Sequence, residues 1–143
     1  MTTVARLLDS KGHDVWSVAS GDSVYQAIER MAEKGVGALA VVDDSRLVGV
    51  ISERDYARKV ILQGKSSRET PVADIMTRNV VTVRPEQNVE DCMELMTQRR
   101  IRHLPVVDGD RLVGMISIGD VVKWVISDRE SLIAQLEGYI TGR

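Results

Sequence analysis

Phenylalanine is missing from the chain, and the few tryptophans and tyrosines bring aromatic content to only 3%. Proteins that grip single-stranded nucleic acid stack its bases on aromatic rings, so that platform is absent. An excess of charge of one sign is missing too: the net charge is −2. A near-neutral, slightly acidic chain is a poor partner for nucleic-acid phosphates, and any basic site must be local. No apolar run approaches the roughly 20 residues that span a bilayer, so no membrane partner is expected. The opening residues 1–6 lack the basic-then-apolar pattern of a secretory signal. The single Cys92 permits no internal disulfide and suits a reducing compartment, so a cytoplasmic location is expected. One cysteine with two histidines offers no metal-ligand spacing, and no metal site is expected.

What is present is a repeat. Leu47-Val48-Gly49-Val50-Ile51-Ser52-Glu53-Arg54-Asp55 returns as Leu112-Val113-Gly114-Met115-Ile116-Ser117-Ile118-Gly119-Asp120. Both copies run from an apolar segment into Ser-x-x-Asp, with a glycine three residues before the serine. A shift of 65 positions also lays Val18 on Val83, Val24 on Val89, Met31 on Met96, Leu39 on Leu104 and Val41 on Val106. No gap is needed between Val15 and Val60, and the first copy carries three extra residues around Lys11-Gly12-His13. Matches spread over every expected element mark an internal duplication. Two long copies suit a closed two-lobed domain better than an open array.

Each copy reads as strand-helix-strand-strand-helix. Thr3 can cap a short helix over residues 3–12 that Gly12 ends. Residues 15–18 form a strand. Val24, Ala27, Ile28 and Met31 recur at i, i+3, i+4 and i+7, the helical period, and Gly35 stops that helix. Two apolar strands follow, over residues 39–42 and 47–51, joined by the polar turn Asp43-Asp44-Ser45. Ser52 opens a helix to about Gln63, with Tyr56, Val60 and Ile61 facing inward. The second copy restarts at Thr70-Pro71, where proline stands at the first helical position. It continues with a strand over residues 80–83, a helix capped by Asn88 with Val89, Cys92, Met93 and Met96 inward, and a hairpin around Asp108-Gly109. The expected fold class is α/β, more narrowly α+β: repeats over residues 3–63 and 71–126, a polar linker over 64–70, and a separate tail helix over 127–143. In that tail, Ser127-x-x-Glu130 reads as a capping box, and Arg129, Ile133, Leu136 and Ile140 share one face.

The repeated motif has two readings. Ser-x-x-Asp at a helix start is a capping box, and the glycine before it marks a close backbone approach. The same geometry presents free N–H groups and a partial positive charge to an anion. The serine hydroxyl can then reach a phosphate oxygen, and the aspartate can accept from both ribose hydroxyls. A glycine nearby would let a flat base approach the strand. Cys92 lies on an apolar helix face and reads as a core residue. No nucleophile-base pair or paired catalytic carboxylates stand out, so no enzyme is expected.

In combination these motifs resemble a tandem pair of CBS domains, of the stand-alone bacterial type, over roughly residues 3–126. The resemblance implies two pseudo-symmetric repeats packed sheet to sheet, enclosing two clefts for adenosine ligands such as AMP, ADP, ATP or NAD(H), with no required cofactor. It places Asp55 and Asp120 on ribose hydroxyls and Ser52 and Ser117 on phosphate. Ser17 and Thr82, with the apolar pairs Val50/Ile51 and Met115/Ile116, would border the base. A basic residue at the position of Arg102 would reach the phosphate held by the other repeat, which makes the clefts unequal. Arg54, Lys11 and His103 are weaker candidates for ligand contact. A regulatory sensor is implied, acting through a homodimer or an unidentified regulated protein. The competing expectation is a scaffold that keeps the fold without a ligand.

Overall fold

A computed structural model describes residues 2–140. The first helix, α1 (Val4–Lys11), is capped by Thr3, whose side chain accepts from the Arg6 N–H. Strand β1 (Ser17–Val18) is followed by α2 (Val24–Lys34), which opens on a complete capping box of Ser23 and Gln26. Gly35 closes α2 at φ 65°, a left-handed conformation that glycine adopts without a Cβ clash. The hairpin β2 (Ala38–Asp43) and β3 (Arg46–Ser52) pairs antiparallel, and β1 joins β2 in parallel.

The second half repeats this with α4 (Val89–Arg99), β4 (His103–Asp108) and β5 (Arg111–Ser117). Both hairpins shift register at the same place, between Val41 and Val42 and between Val106 and Val107. Where the first half ends its helix on Gly35, the second ends on Arg100, a non-glycine residue at φ 54°. β3 and β5 lie against each other, so the halves meet sheet to sheet.

Two buried clusters fill the halves. One holds Val18, Val24, Met31, Leu39, Val41 and Ile51. The other holds Val83, Val89, Cys92, Met96, Leu104, Val106 and Ile116. The repeat boundaries read from the sequence do not match these clusters. Val4, Leu7 and Leu8 of α1 pack in the second cluster. Val72, Ile75 and Met76, which open the second repeat, pack in the first. The entry segments therefore cross between halves. They are pinned by matching backbone bridges, Thr3 to Asn88 and Ser23 to Pro71.

The crossing gives the motif glycines their role. A Cβ on Gly114 would come within 2.7 Å of both Leu8 methyl carbons. A Cβ on Gly49 would come within 2.7 Å of Met76 Sδ and 3.0 Å of the Thr77 carbonyl oxygen. Each glycine admits an entry segment from the other repeat, and the idea that it opens space for a flat base is corrected accordingly.

Other local expectations also change. Residues 70–76 form a single 3-10 turn, Val72–Asp74, with Pro71 extended before it rather than inside a helix. The strand expected over 80–83 reduces to one parallel bridge, Val83 to Val106. The helix after Ser52 is α3 (Glu53–Tyr56) running into a π-helical turn, Ala57–Ile61. That turn buries Val60 but leaves Ile61 56% exposed. Last, α5 (Ile118–Ile140) is one continuous helix, so Ser127 is an interior residue and not the cap of a separate tail. Residues 141–143 and the Ile140 side chain lie outside the described part of the chain.

Candidate functional site

Ser52 ends β3 and caps α3. Its hydroxyl accepts from the Asp55 N–H at 3.2 Å, and Asp55 Oδ2 accepts from the Ser52 N–H at 3.0 Å. The other carboxylate oxygen of Asp55 pairs with Lys59 Nζ at 3.1 Å, one turn further on. Lys59 Nζ also donates to the Ile75 carbonyl, tying the entry segment to the same helix. The capping reading of the motif is thus realised. It also fixes the Asp55 carboxylate in one orientation at the mouth of a cleft.

The cleft has a volume of about 370 Å³ and walls from both repeats. Gly37, Val50, Ser52, Glu53, Arg54, Asp55 and Arg58 come from the first copy. Thr77, Asn79, Val80, Val81, Arg100, Ile101, Arg102 and His103 come from the second. Four guanidinium groups and two carboxylates line it, a local cationic excess in a chain of net charge −2. The edge of the β3 backbone at Val50 is already paired, its N–H and C=O bonded to Thr77 at 3.1 and 2.9 Å.

His103 lines this cleft and stands within electrostatic reach of Lys11 and Asp120 at the second motif. Its ring lies 3.6 Å from where a Cβ on Gly37 would sit. Burial lowers the pKa of the imidazole below its ordinary 6.5; the Lys11 and Arg102 charges act in the same direction and Asp120 opposes them. The ring is therefore neutral at pH 7.

The second copy repeats the cap: Asp120 Oδ2 accepts from the Ser117 N–H at 2.8 Å, and the Ser117 hydroxyl accepts from the Asp120 N–H at 3.2 Å. Here Lys11 Nζ, from the end of α1, donates to Asp120 Oδ2 at 2.6 Å and to the Met115 carbonyl oxygen. Burial raises the Asp120 pKa, but the Lys11 and Ser117 hydrogen bonds and the lysine charge outweigh it and hold the carboxyl below its ordinary 3.8.

Ser52, Asp55, Val50, Arg54, Arg102 and His103 thus lie together on the Asp55 cleft. Ser117, Asp120, Met115 and Lys11 lie together at the other motif. Ile51 and Ile116 are fully buried in the two cores, where the strand alternation turns them inward, and Ile51 is not on the Asp55 cleft wall. Ser17 lines a separate shallow hollow with Asp22 and Arg30, and Thr82 is absent from the Asp55 cleft wall. Among the wall residues not singled out from the sequence, Arg58 follows Arg54 by one helical turn. Thr77 and Asn79 follow the crossing segment, whose offset of 68 from α1 was the available signal.

Cys92 is fully buried, and burial with the nearby Asp91 and Glu90 charges pushes its thiol up to about 11. It is a packing residue. Among the described residues no group of three histidine, cysteine or acidic side chains could hold a metal ion, and no helix is long and apolar enough to cross a membrane.

Residues 9–61 and 72–127 each match the CBS domain family. The chain belongs to the CBS-domain family. A putative signal-transduction protein with CBS domains from Burkholderia ambifaria is 54% identical, with a TM-score of 0.86 over 89% of this chain and 96% of that one. The mitochondrial CBS domain-containing protein CBSX3 of Arabidopsis thaliana is 43% identical over 99% of this chain and 73% of its own length. The CBS domain pair of protein MJ0100, solved in complex with 5′-methylthioadenosine and S-adenosyl-L-methionine, is 28% identical with a TM-score of 0.81, covering 90% of this chain and 98% of that one. The tandem CBS pair therefore accounts for the duplicated motif, the two hairpins and the crossed entry segments.

Proposed function

We propose that this CBS pair is a non-catalytic regulatory sensor that binds a phosphate-bearing adenosine ligand, such as AMP, ADP, ATP or NAD(H), in the Asp55 cleft. The observation that carries the reading is the convergence of four arginines and the oriented Asp55 carboxylate on one cavity built from both repeats. Asp55 takes the ribose hydroxyls, and Ser52 with the start of α3 takes phosphate. Arg102, which enters from the other repeat, clamps the phosphate; guanidinium suits that task because it is planar and always charged. Arg54 and Arg58 extend the basic wall, and His103 flanks it. Ser117 and Asp120 would play the ribose-phosphate part in the second cleft once that carboxylate is free. The bound adenosine compounds of MJ0100 support the ligand class. A ligand touching both repeats shifts the population toward the arrangement it binds best, by no more than its differential affinity.

The output passes through a homodimer or a regulated protein. Val122, Ile126, Ile133 and Leu136 are about half exposed along one seam of α5, at coiled-coil spacing, which suits a helix-to-helix contact. The single buried thiol suits a reducing setting, proposed to be the cytoplasm.

Mass spectrometry of small molecules that co-purify with the protein tests the ligand class: an adenosine compound present with wild type and lost with Asp55→Ala is expected. Calorimetry on Arg102→Ala should show affinity for a phosphorylated ligand reduced about 10- to 100-fold, the worth of one charged hydrogen-bonding group. The competing scaffold reading draws on both aspartates being satisfied within the chain. A thermal-shift panel without response to any adenosine compound would favour it.

A further inference from the structure

The two motifs are equal in their caps and unequal in what faces them. At the first motif, the strand carbonyl at Val50 accepts from a backbone amide, Thr77 N–H, and the aspartate takes its lysine from its own helix, outside the cleft wall. At the second motif, the matching carbonyl at Met115 accepts from Lys11 Nζ, and the same ammonium binds the aspartate. One side chain thus spans from the strand to the ribose-binding position of the helix.

Lys11 is held there by the fold. It follows Leu8 by one helical turn, and Leu8 is seated on Gly114, the residue before Met115. Gly12 then ends α1 at φ 113°, its N–H returning to the Leu8 carbonyl at 2.7 Å. The corresponding stretch of the first cleft carries Asn79, an uncharged residue on the wall of an open cavity. The Lys11 side chain is about one-third exposed and that of Asp120 about one-quarter, so the ion pair is shielded in part from solvent.

We propose that Lys11 is an intramolecular plug of the Asp120 cleft, so that each chain binds one adenosine ligand, at the Asp55 cleft, and not two. The proposal rests on the adenosine reading of the family motif. A ribose at Asp120 has to displace an ammonium that pairs with the carboxylate and is also held by the Met115 carbonyl. At the Asp55 cleft the paired ammonium, Lys59, stands outside the cleft wall, so a ligand need not expel it from the cavity to reach the carboxylate.

Equilibrium dialysis of AMP, ADP, ATP and NAD against the full chain, compared with Lys11→Ala and Lys11→Met, tests this. Lys11→Met keeps a long unbranched side chain without the charge, so it guards against a misfolded alanine variant. The expected result is a gain of one binding site per chain on replacing Lys11, from one to two. The gained site is to vanish in Lys11→Ala/Asp120→Ala and to persist in Lys11→Ala/Asp55→Ala. No gain in either Lys11 variant overturns the plug, as does a wild type that already binds two. A loss of Asp120-dependent binding on replacing Lys11 also overturns it, by making Lys11 a ligand clamp. A wild type that binds none while Lys11→Ala binds one at Asp120 upholds the plug and removes the reading of the Asp55 cleft.

Discussion

At the scale of single residues, the motif glycines carry a steric cost that can be measured. Leu8 is fully buried, and its methyls occupy the space where a Gly114 side chain would stand. Gly114→Ala should destabilise the fold by about 1–3 kcal/mol, the usual cost of overpacking a closed core. Urea unfolding of Gly114→Ala, Leu8→Ala and the double variant checks the cause. If Leu8 is the obstacle, the double variant costs less than the sum of the singles by more than about 0.5 kcal/mol. Strict additivity would place the strain elsewhere. His103 supplies a pH dependence at the same scale. Its folded pKa lies below the ordinary 6.5, so between those two values the unfolded chain binds more protons than the folded one. Stability therefore falls as pH drops from about 6.5 through the folded value. Burial sets the sign of the shift, the Lys11 and Arg102 charges act with it, and Asp120 opposes it. The difference in unfolding free energy between wild type and His103→Gln, followed from pH 8 to pH 5, should narrow on the acid side. A constant difference across that range would show that His103 titrates alike in both states.

At the scale of elements, the parts written in local chemistry were legible and the parts decided by distant packing were not. The capping box of Ser23 and Gln26, the Gly35 terminator and the i, i+3, i+4, i+7 stripe of α2 are short-range signals, and α2 forms where they place it. The Ser52 and Ser117 caps are equally local. Ser127-x-x-Glu130 carries the same signature, yet α5 passes through it without a break. A cap is needed only where the preceding residues leave the helix, and residues 118–126 stay in it. Ser127→Ala separates the two cases by sign. An exposed interior serine gains helix propensity on becoming alanine, so stability should hold or rise by up to about 0.5 kcal/mol. Loss of a true cap would instead cost about 1 kcal/mol. Chemical denaturation of this one variant settles which applies. The strand expected at residues 80–83 failed for the opposite reason. Its apolar run is real, but Val80 and Val81 turn to the cleft wall, leaving Val83 alone to bridge Val106.

At the scale of the whole molecule, the two halves are not independent units joined by a linker, although the repeat boundaries suggest it. Each half is completed by a segment that belongs in sequence to the other: α1 fills the second core, and Val72, Ile75 and Met76 fill the first. A repeat shift cannot show such an exchange, since either assignment leaves the periodicity unchanged. The exchange was visible only as an irregularity, the three additional residues near Lys11 that change the offset from 65 to 68. Full burial of a single valine or leucine is worth about 1.5–3 kcal/mol, so three or more such residues per segment rival the 5–15 kcal/mol that holds a domain together. Neither core can therefore lose its borrowed segment and remain folded, and unfolding has to be shared. The chain offers one reporter for each half, since Trp16 packs against the first core and Trp124 against the second. In Trp16→Tyr and Trp124→Tyr variants, the remaining tryptophan should report a transition that coincides with loss of far-ultraviolet circular dichroism in the same variant. Two separated transitions would mean that the crossed segments detach before the cores open. The lobes would then be autonomous, and a ligand in the Asp55 cleft could order one without the other. Coincident transitions make the cleft, whose walls come from both repeats, a site that stabilises the molecule as a unit.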